Sequence, residues 1–362
     1  MKKIHFVLRA GVYPNRTGGM EIFNYYLIDS IRNKYEISYS AYTQLNYDHI
    51  KYHKLYALRP SKVFEPLQLF FFLLFHRQIR TIVYSFSRDH WLAWKLYTIV
   101  SKILNVDYMV VIHLGQIPSI STKSSMISGF LKGAKAVVAV SSDIKRNYDS
   151  VYGINCRIIY PLVPFELSNL SKNDLRSYYS IPLDAFVVCM VGTIKKMKNP
   201  DSIITVLSML NEKDINEIRP FVLFAGSGDM ISQMKQLALK LGIGDRVKFV
   251  GNIPKEEVNK IYCLSDAYLI ASDYEGTSVS LLEAMFNSKP IIAARAPGMV
   301  DMLTDGKDCL MFETRNVDEL KECLLRIAKE EHLRNTLSSV ARSTYIKKYN
   351  YREVIAQYEE LF

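Results

Sequence analysis

Residues 266–294 read DAYLIASDYEGTSVSLLEAMFNSKPIIAA. The apolar run Ala267–Ala271 has the length of a buried strand. It gives way at Ser272 to a polar loop, Asp273–Thr277. A helix is expected from near Ser278, and a second strand over residues 290–294. Strand, loop, helix and strand in one short stretch form the repeating unit of a parallel sheet covered by helices.

Two glutamates punctuate this unit. Glu275 lies in the loop and Glu283 in the helix. Gly276, Thr277, Ser278 and Val279 surround the helix start, where backbone N–H groups and the positive dipole end suit a diphosphate. Glu283 falls one turn beyond Val279–Ser280 and projects on the same face. A carboxylate there can accept two hydrogen bonds from ribose hydroxyls, and Glu275 would stand near a sugar. The same spacing also fits a βα unit with two surface glutamates, and the residues alone leave both readings open.

Outward from this stretch the rhythm repeats. In the second half strands are expected at 186–192, 221–225, 247–250 and 310–312. In the first half they are expected at 3–8, 36–43, 81–87, 108–114, 136–141 and 157–160. Helix-period segments such as 20–31 and 91–104 lie between them. Two such series imply two doubly wound α/β domains. The break falls in PLVPFELSNLSKNDLRSYYSIP, residues 161–182, whose three prolines suit a linker. The domains are therefore expected at 1–164 and 165–350.

Other segments carry candidate chemistry. In VVCMVGTIKKMKNPDSI, residues 187–203, a strand ends at Gly192. Thr193, Lys195, Lys196 and Lys198 crowd the loop before a helix at Asn199–Pro200, a second anion site or a solvated basic loop. After the first strand, Gly18-Gly19 precedes a helix. A glycine pair permits close approach to a phosphate, and equally makes a simple turn. His113 closes a strand in VVIHLGQIP. FAGSGDM, with Gly226 and Gly228, reads as a sharp strand–helix turn of structural purpose.

Composition narrows the class. The 362 residues are 49% hydrophobic, enough for two cores. The five cysteines make no C-x-x-C pair and no zinc spacing, which fits small buried side chains in a reducing, cytoplasmic setting. The N-terminal MKKIHFVLRAGVYP is interrupted by His5 and Arg9 and reads as a first strand rather than a leader. The apolar run Leu67–Phe75 is far short of the ~20 residues of a spanning helix. Charge is unevenly placed: residues 1–164 hold 21 Lys and Arg against 9 Asp and Glu, the remainder 25 against 27. The first half should face something anionic. No nucleic-acid-binding module is recognisable.

The E-x(7)-E spacing of EGTSVSLLEAM, followed by Lys289-Pro290, resembles the signature of glycosyltransferase family 4. Gly192 with Lys198-Asn199 is similar to the family's Gly-Arg followed five residues later by Lys-(Gly/Asn). Thr193 stands where the family has Arg, so one bidentate diphosphate contact is missing, with Lys195 or Lys196 beside it. The resemblance implies a GT-B fold: two Rossmann-like domains facing across a cleft, the first for the acceptor, the second for the nucleotide sugar. It implies that the last segment, 351–362, packs back on the first domain. It implies retaining transfer from a UDP- or GDP-linked sugar, with Glu275, His113 and Lys198 as catalytic residues. The Gly18-Gly19 loop would reach the donor phosphates or the acceptor, and Ile253 in GNIPKEEVNKIY would lie by the nucleobase. No D-x-D occurs in the chain, so no cofactor or metal is expected.

By the same resemblance, the acceptor is a saccharide in surface polysaccharide assembly, O-antigen, capsule or lipopolysaccharide, on a polyprenyl diphosphate carrier. That would place the protein peripherally at the inner face of the cell membrane. A sugar-nucleotide epimerase, a phosphorylase and a non-catalytic assembly subunit are the rival activities.

Overall fold

The computed structural model describes residues 1–8, 19–41, 54–56, 64–86, 91–113, 124–161, 170–254 and 257–362. The chain divides into two compact units, Met1–Pro164 with Tyr351–Phe362, and Phe165–Asn350.

The first unit alternates strand and helix in order: β1 Lys3–Leu8, α1 Gly19–Ile31, β2 Glu36–Ala41, β3 Lys54–Tyr56, α2 Phe64–Phe75, β4 Ile79–Phe86, α3 Trp91–Leu104, β5 Asp107–Ile112, α4 Ser124–Lys132, β6 Ala136–Ala139, α5 Ser142–Tyr152 and β7 Arg157–Ile158. Its parallel sheet has the order β3-β2-β1-β4-β5-β6-β7. Helices cover both faces, so β1 is buried without alternation from Ile4 to Leu8. That run includes His5, whose ring nitrogens lie 2.8 Å from the hydroxyls of Ser38 and Ser40 on β2. Burial pushes the His5 imidazole down to about 3. Phe130 of α4 is fully buried among Tyr84, Trp94, Tyr97 and Tyr108. The strand β3 was not expected from the sequence; three residues are too few to display a period.

The second unit contains α6 Lys172–Tyr178, β8 Phe186–Val191, α7 Pro200–Ser208, α8 Glu212–Ile218, β9 Pro220–Ala225, α9 Ile231–Lys240, β10 Val247–Gly251, α10 Val258–Leu264, β11 Ala267–Ile270, α11 Val279–Phe286, β12 Ile291–Ala294, α12 Met299–Met302, β13 Leu310–Phe312, α13 Val317–Lys329 and α14 Glu331–Lys348. The parallel order is β10-β9-β8-β11-β12-β13. After β8 the chain moves outward to β9 and β10, then returns to the other side of β8 with β11. The boundary between β8 and β11 is therefore the switch point, where successive loops leave the sheet in opposite directions and open a crevice.

The last helix, α15 Tyr351–Glu359, belongs to the first unit. It packs on α1, with the fully buried Tyr358 ring 5.7 Å from Phe23. Phe362 lies 5.5 Å from Tyr35, and Glu359 and Glu360 pair with Lys34 and Arg157.

Candidate active site

Both loops at the switch point of the second sheet carry residues singled out in the sequence. The first begins at Gly192, whose N–H donates to Ala225 (2.9 Å) and whose φ of 133° suits glycine. Thr193, Lys195 and Lys196 are exposed beyond it, and Ile194 is buried. The chain then makes a 3-10 turn over Lys196–Lys198. Asn199 follows in the left-handed region, φ 46°, and Pro200 opens α7. Asn tolerates this conformation better than other side chains with a Cβ. Its amide donates to the Ala271 carbonyl (2.9 Å) and to Asp273 Oδ1 (2.6 Å), which binds the first loop to the second.

The second loop runs from Ala271 to Ser278. Glu275 is buried there. Its Oε1 accepts from Ser272 Oγ (2.6 Å) and pairs with the Lys198 ammonium. Asp273 accepts two hydrogen bonds from Arg315, at 2.6 and 3.1 Å, which hold its carboxyl below the usual range, with Asn199 adding to the effect. Ser278 caps α11, its hydroxyl accepting from the Leu281 N–H (3.3 Å). Gly276, Thr277 and Val279 are half-buried around this helix start. One turn on, buried Glu283 accepts from Tyr262 OH through Oε2 (2.8 Å). The same phenol also reaches the Ser280 carbonyl at 2.9 Å, and burial pushes its pKa up. Ile253 is half-buried two residues beyond β10.

Glycines let these loops approach one another. A Cβ on Gly226 would lie 1.9 Å from the Gly192 carbonyl oxygen, and one on Gly228 would lie 2.0 Å from that of Ile194. A Cβ on Gly298 would lie 2.0 Å from the Glu275 carbonyl oxygen. The structural purpose expected for FAGSGDM is thus explained by the loop before α7.

In the first unit His113 follows β5 directly. Its Nε2 lies 2.9 Å from Ser85 Oγ, whose hydroxyl donates to Asn24 Oδ1 (2.8 Å). Phe23 meets the ring edge-on at 4.8 Å. Desolvation pushes the imidazole down to about 3, so it is neutral at physiological pH. Gly19 is the first residue of α1; Gly18 lies outside the described residues.

The structure therefore joins Gly192, Lys198, Glu275, Ser278 and Glu283 around one switch point. It adds Ser272, Tyr262 and the Asp273–Arg315 pair, to which the sequence assigns no chemistry, and it gives Asn199 the role of tying the two loops together. Only the Asn-Pro dipeptide at a helix start signalled any of these. Among the described residues no group of three His, Cys, Asp or Glu is gathered to hold a metal ion.

Residues 171–344, all within the second unit, match the family described as Glycosyl transferases group 1. The second unit is a group 1 glycosyltransferase domain. In some relatives the likeness extends beyond this glycosyltransferase domain. The lipopolysaccharide core biosynthesis glycosyltransferase LpsD of Rhizobium meliloti is 26% identical over 83% of this chain and 82% of its own length. The N-acetyl-alpha-D-glucosaminyl L-malate synthase of Bacillus anthracis is 23% identical over 52% of this chain. There the chain spans about half the relative's length, 48%. The crystal structure of Alr3699/HepE from Anabaena, in complex with UDP, matches the fold with a TM-score of 0.83 at 17% identity, over 99% of this chain and 98% of that one. The architecture is accordingly GT-B, an α/β fold of two doubly wound units.

Proposed function

We propose that the chain is a retaining glycosyltransferase that moves a sugar from a UDP- or GDP-linked donor to a saccharide acceptor without a metal ion. The observation that carries this is the Lys198–Glu275 pair at the switch point, beside the capped start of α11 and the buried Glu283. In this reading the diphosphate lies against Lys198 and the α11 start, with Lys195 and Lys196 supplying the charge that Arg would bring at Thr193. Glu283, held by Tyr262, accepts the ribose hydroxyls. Ile253 borders the base.

Stabilisation of the departing diphosphate is then the main catalytic effect. Glu275 Oε1 is already engaged by Ser272 and Lys198, which favours a positioning role over attack on the sugar. The bond from the anomeric carbon to the phosphate oxygen breaks while the acceptor hydroxyl adds on the same face. Its proton passes to the leaving phosphate. By the family resemblance, we assign His113, neutral and fixed by Ser85, to the transferred sugar, and Gly18-Gly19 to the phosphates or the acceptor.

The acceptor we propose is a lipid-linked saccharide of bacterial surface polysaccharide assembly, O-antigen, capsule or lipopolysaccharide, used at the inner face of the cell membrane. The Rhizobium relative's role in lipopolysaccharide core biosynthesis supports this choice. The full chain should be screened against UDP- and GDP-sugars with short saccharide acceptors, reading released nucleotide diphosphate and the anomeric configuration of the product. Inverted product, or no release with any donor, overturns the proposal. Conversion of donor alone to an isomer points to an epimerase.

A further inference from the structure

The surface of α2 and α3 in the first unit presents large apolar side chains to solvent. Leu67, Phe71 and Phe75 are 48%, 51% and 81% exposed. They are spaced four apart, so they form one stripe along α2. The opposite side of this helix, Leu69, Phe72 and Leu73, is buried in the core. The neighbouring helix α3 repeats the pattern: Trp94, Tyr97, Val100 and Leu104 are buried, whereas Ile99 and Ile103 are 42% and 64% exposed, again four apart. Each helix therefore has a second apolar face that the first unit's core does not cover. Adjacent exposed apolar stripes of this kind mark a docking surface.

The charges beside the stripes select the occupant. Arg77 and Arg80 follow α2, and Lys95 and Lys102 lie on α3, all four exposed. From Pro66 to Val106 the sequence has five Lys and Arg and a single acidic residue, Asp89. We infer that this face docks on an anionic lipid surface, with Leu67, Phe71, Phe75, Ile99 and Ile103 entering the headgroup layer and the four cations meeting lipid phosphates. A second copy of the chain would cover the apolar stripes but would bring Arg77, Arg80, Lys95 and Lys102 against their own kind. An anionic leaflet satisfies both features at once. Among the described residues no helix is long and apolar enough to cross a membrane, and this attachment requires none. The inference takes its setting from the lipid-linked acceptor proposed above and its residues from this surface.

The test is co-sedimentation of the full chain with phosphatidylcholine vesicles, with and without phosphatidylglycerol. Wild type should sediment with the anionic vesicles, be released by salt, and ignore neutral vesicles. Phe71→Ser with Phe75→Ser should weaken binding about tenfold or more, and Arg77→Glu with Arg80→Glu similarly. All four positions are exposed, so circular dichroism and nucleotide binding should be unchanged. No binding at low salt, or binding equal in all variants, overturns the inference. So does a lipid-free dimer, seen by sedimentation velocity, that the phenylalanine variant dissolves. Because vesicle binding is read without donor, failure here with donor turnover intact removes only the docking surface. Docking without turnover removes only the transferase reading.

Discussion

The Lys198 ammonium and the Glu275 carboxylate, 77 residues apart in sequence, meet as an ion pair between the loop after β8 and the loop after β11. Lys198 is thereby held in place at the crevice, so in the proposed reaction little reorganisation would be needed as negative charge develops on the leaving diphosphate. Lys198→Ala should lower turnover by roughly 10²–10³-fold. Affinity for a nucleoside diphosphate should drop while affinity for the bare nucleoside is retained. Calorimetry with both ligands checks this; an equal fall in the two would remove the side chain from the phosphates.

Glu283 is fixed by the Tyr262 phenol at 2.8 Å. Glu283→Gln keeps the volume and loses the charge, and should weaken nucleotide binding by about 1–3 kcal/mol. Tyr262→Phe leaves the carboxylate in place and removes its guide, so a smaller loss, about 1 kcal/mol, is expected. Unchanged affinity in Glu283→Gln would dismiss the ribose assignment.

Gly226 tolerates no Cβ, since backbone of Gly192 stands 1.9 Å from where it would be. Its φ of 144° adds strain for any L side chain. Gly226→Ala should cost about 3 kcal/mol or more. At roughly 2–4 °C per kcal/mol that is a fall in Tm of roughly 6–12 °C. Gly242, at φ 68° with open space around it, is the control: its alanine variant should lose only about 1–2 kcal/mol. Differential scanning calorimetry of the two variants decides whether the contact or the dihedral dominates.

His5 links stability to pH. Its folded pKa of about 3 lies below the ordinary 6.5. Between those values the unfolded chain binds a proton that the folded chain refuses. Stability is therefore full above about pH 6.5 and declines as pH falls towards 3, by up to about 1.4 kcal/mol per pH unit for this group. Urea unfolding across that window should show a shallower decline in His5→Asn than in wild type. Parallel slopes would mean that His5 is protonated in the fold.

His113 is depressed in the same way. The free protein should show no inflection near pH 6.5 from this residue in kcat/KM, because the ring stays neutral throughout. Ser85→Ala removes the 2.9 Å partner of Nε2 and should lower kcat roughly tenfold with little change in donor KM. An acid limb near pH 6.5 that vanishes in His113→Gln would contradict the neutral ring.

What the sequence made legible was local. The strand, loop and helix of residues 266–294 can be read because apolar period, turn residues and a capping serine are all consecutive. The Lys198–Glu275 pair could not be read, since it depends on β11 returning to the side of β8 that β9 leaves open. Asn199 is legible as part of the Lys198-Asn199 motif, but its role as a tie between loops is not, because that role lies in a left-handed backbone and two partners more than seventy residues away. In sequence Leu67–Phe75 is a single apolar run, and only packing distinguishes Phe72, which is buried, from Phe71, which is not. The polar partners of His5 sit on β2 through register alone, with Ser38 and Ser40 two residues apart on one face.

The placement of α15 has a consequence for synthesis. The first unit's core includes Tyr358, its ring tilted against Phe23, and Phe362 against Tyr35. These residues leave the ribosome only after the whole of the second unit has been made. Until then the groove on α1 stays open, and the earlier-made unit waits for the later one. A ribosome stalled between residues 165 and 350 would hold a first unit with an apolar seam exposed, a natural substrate for chaperones. Excision of the second unit would require cutting the chain twice and rejoining it, with residues 351–362 restored to their place.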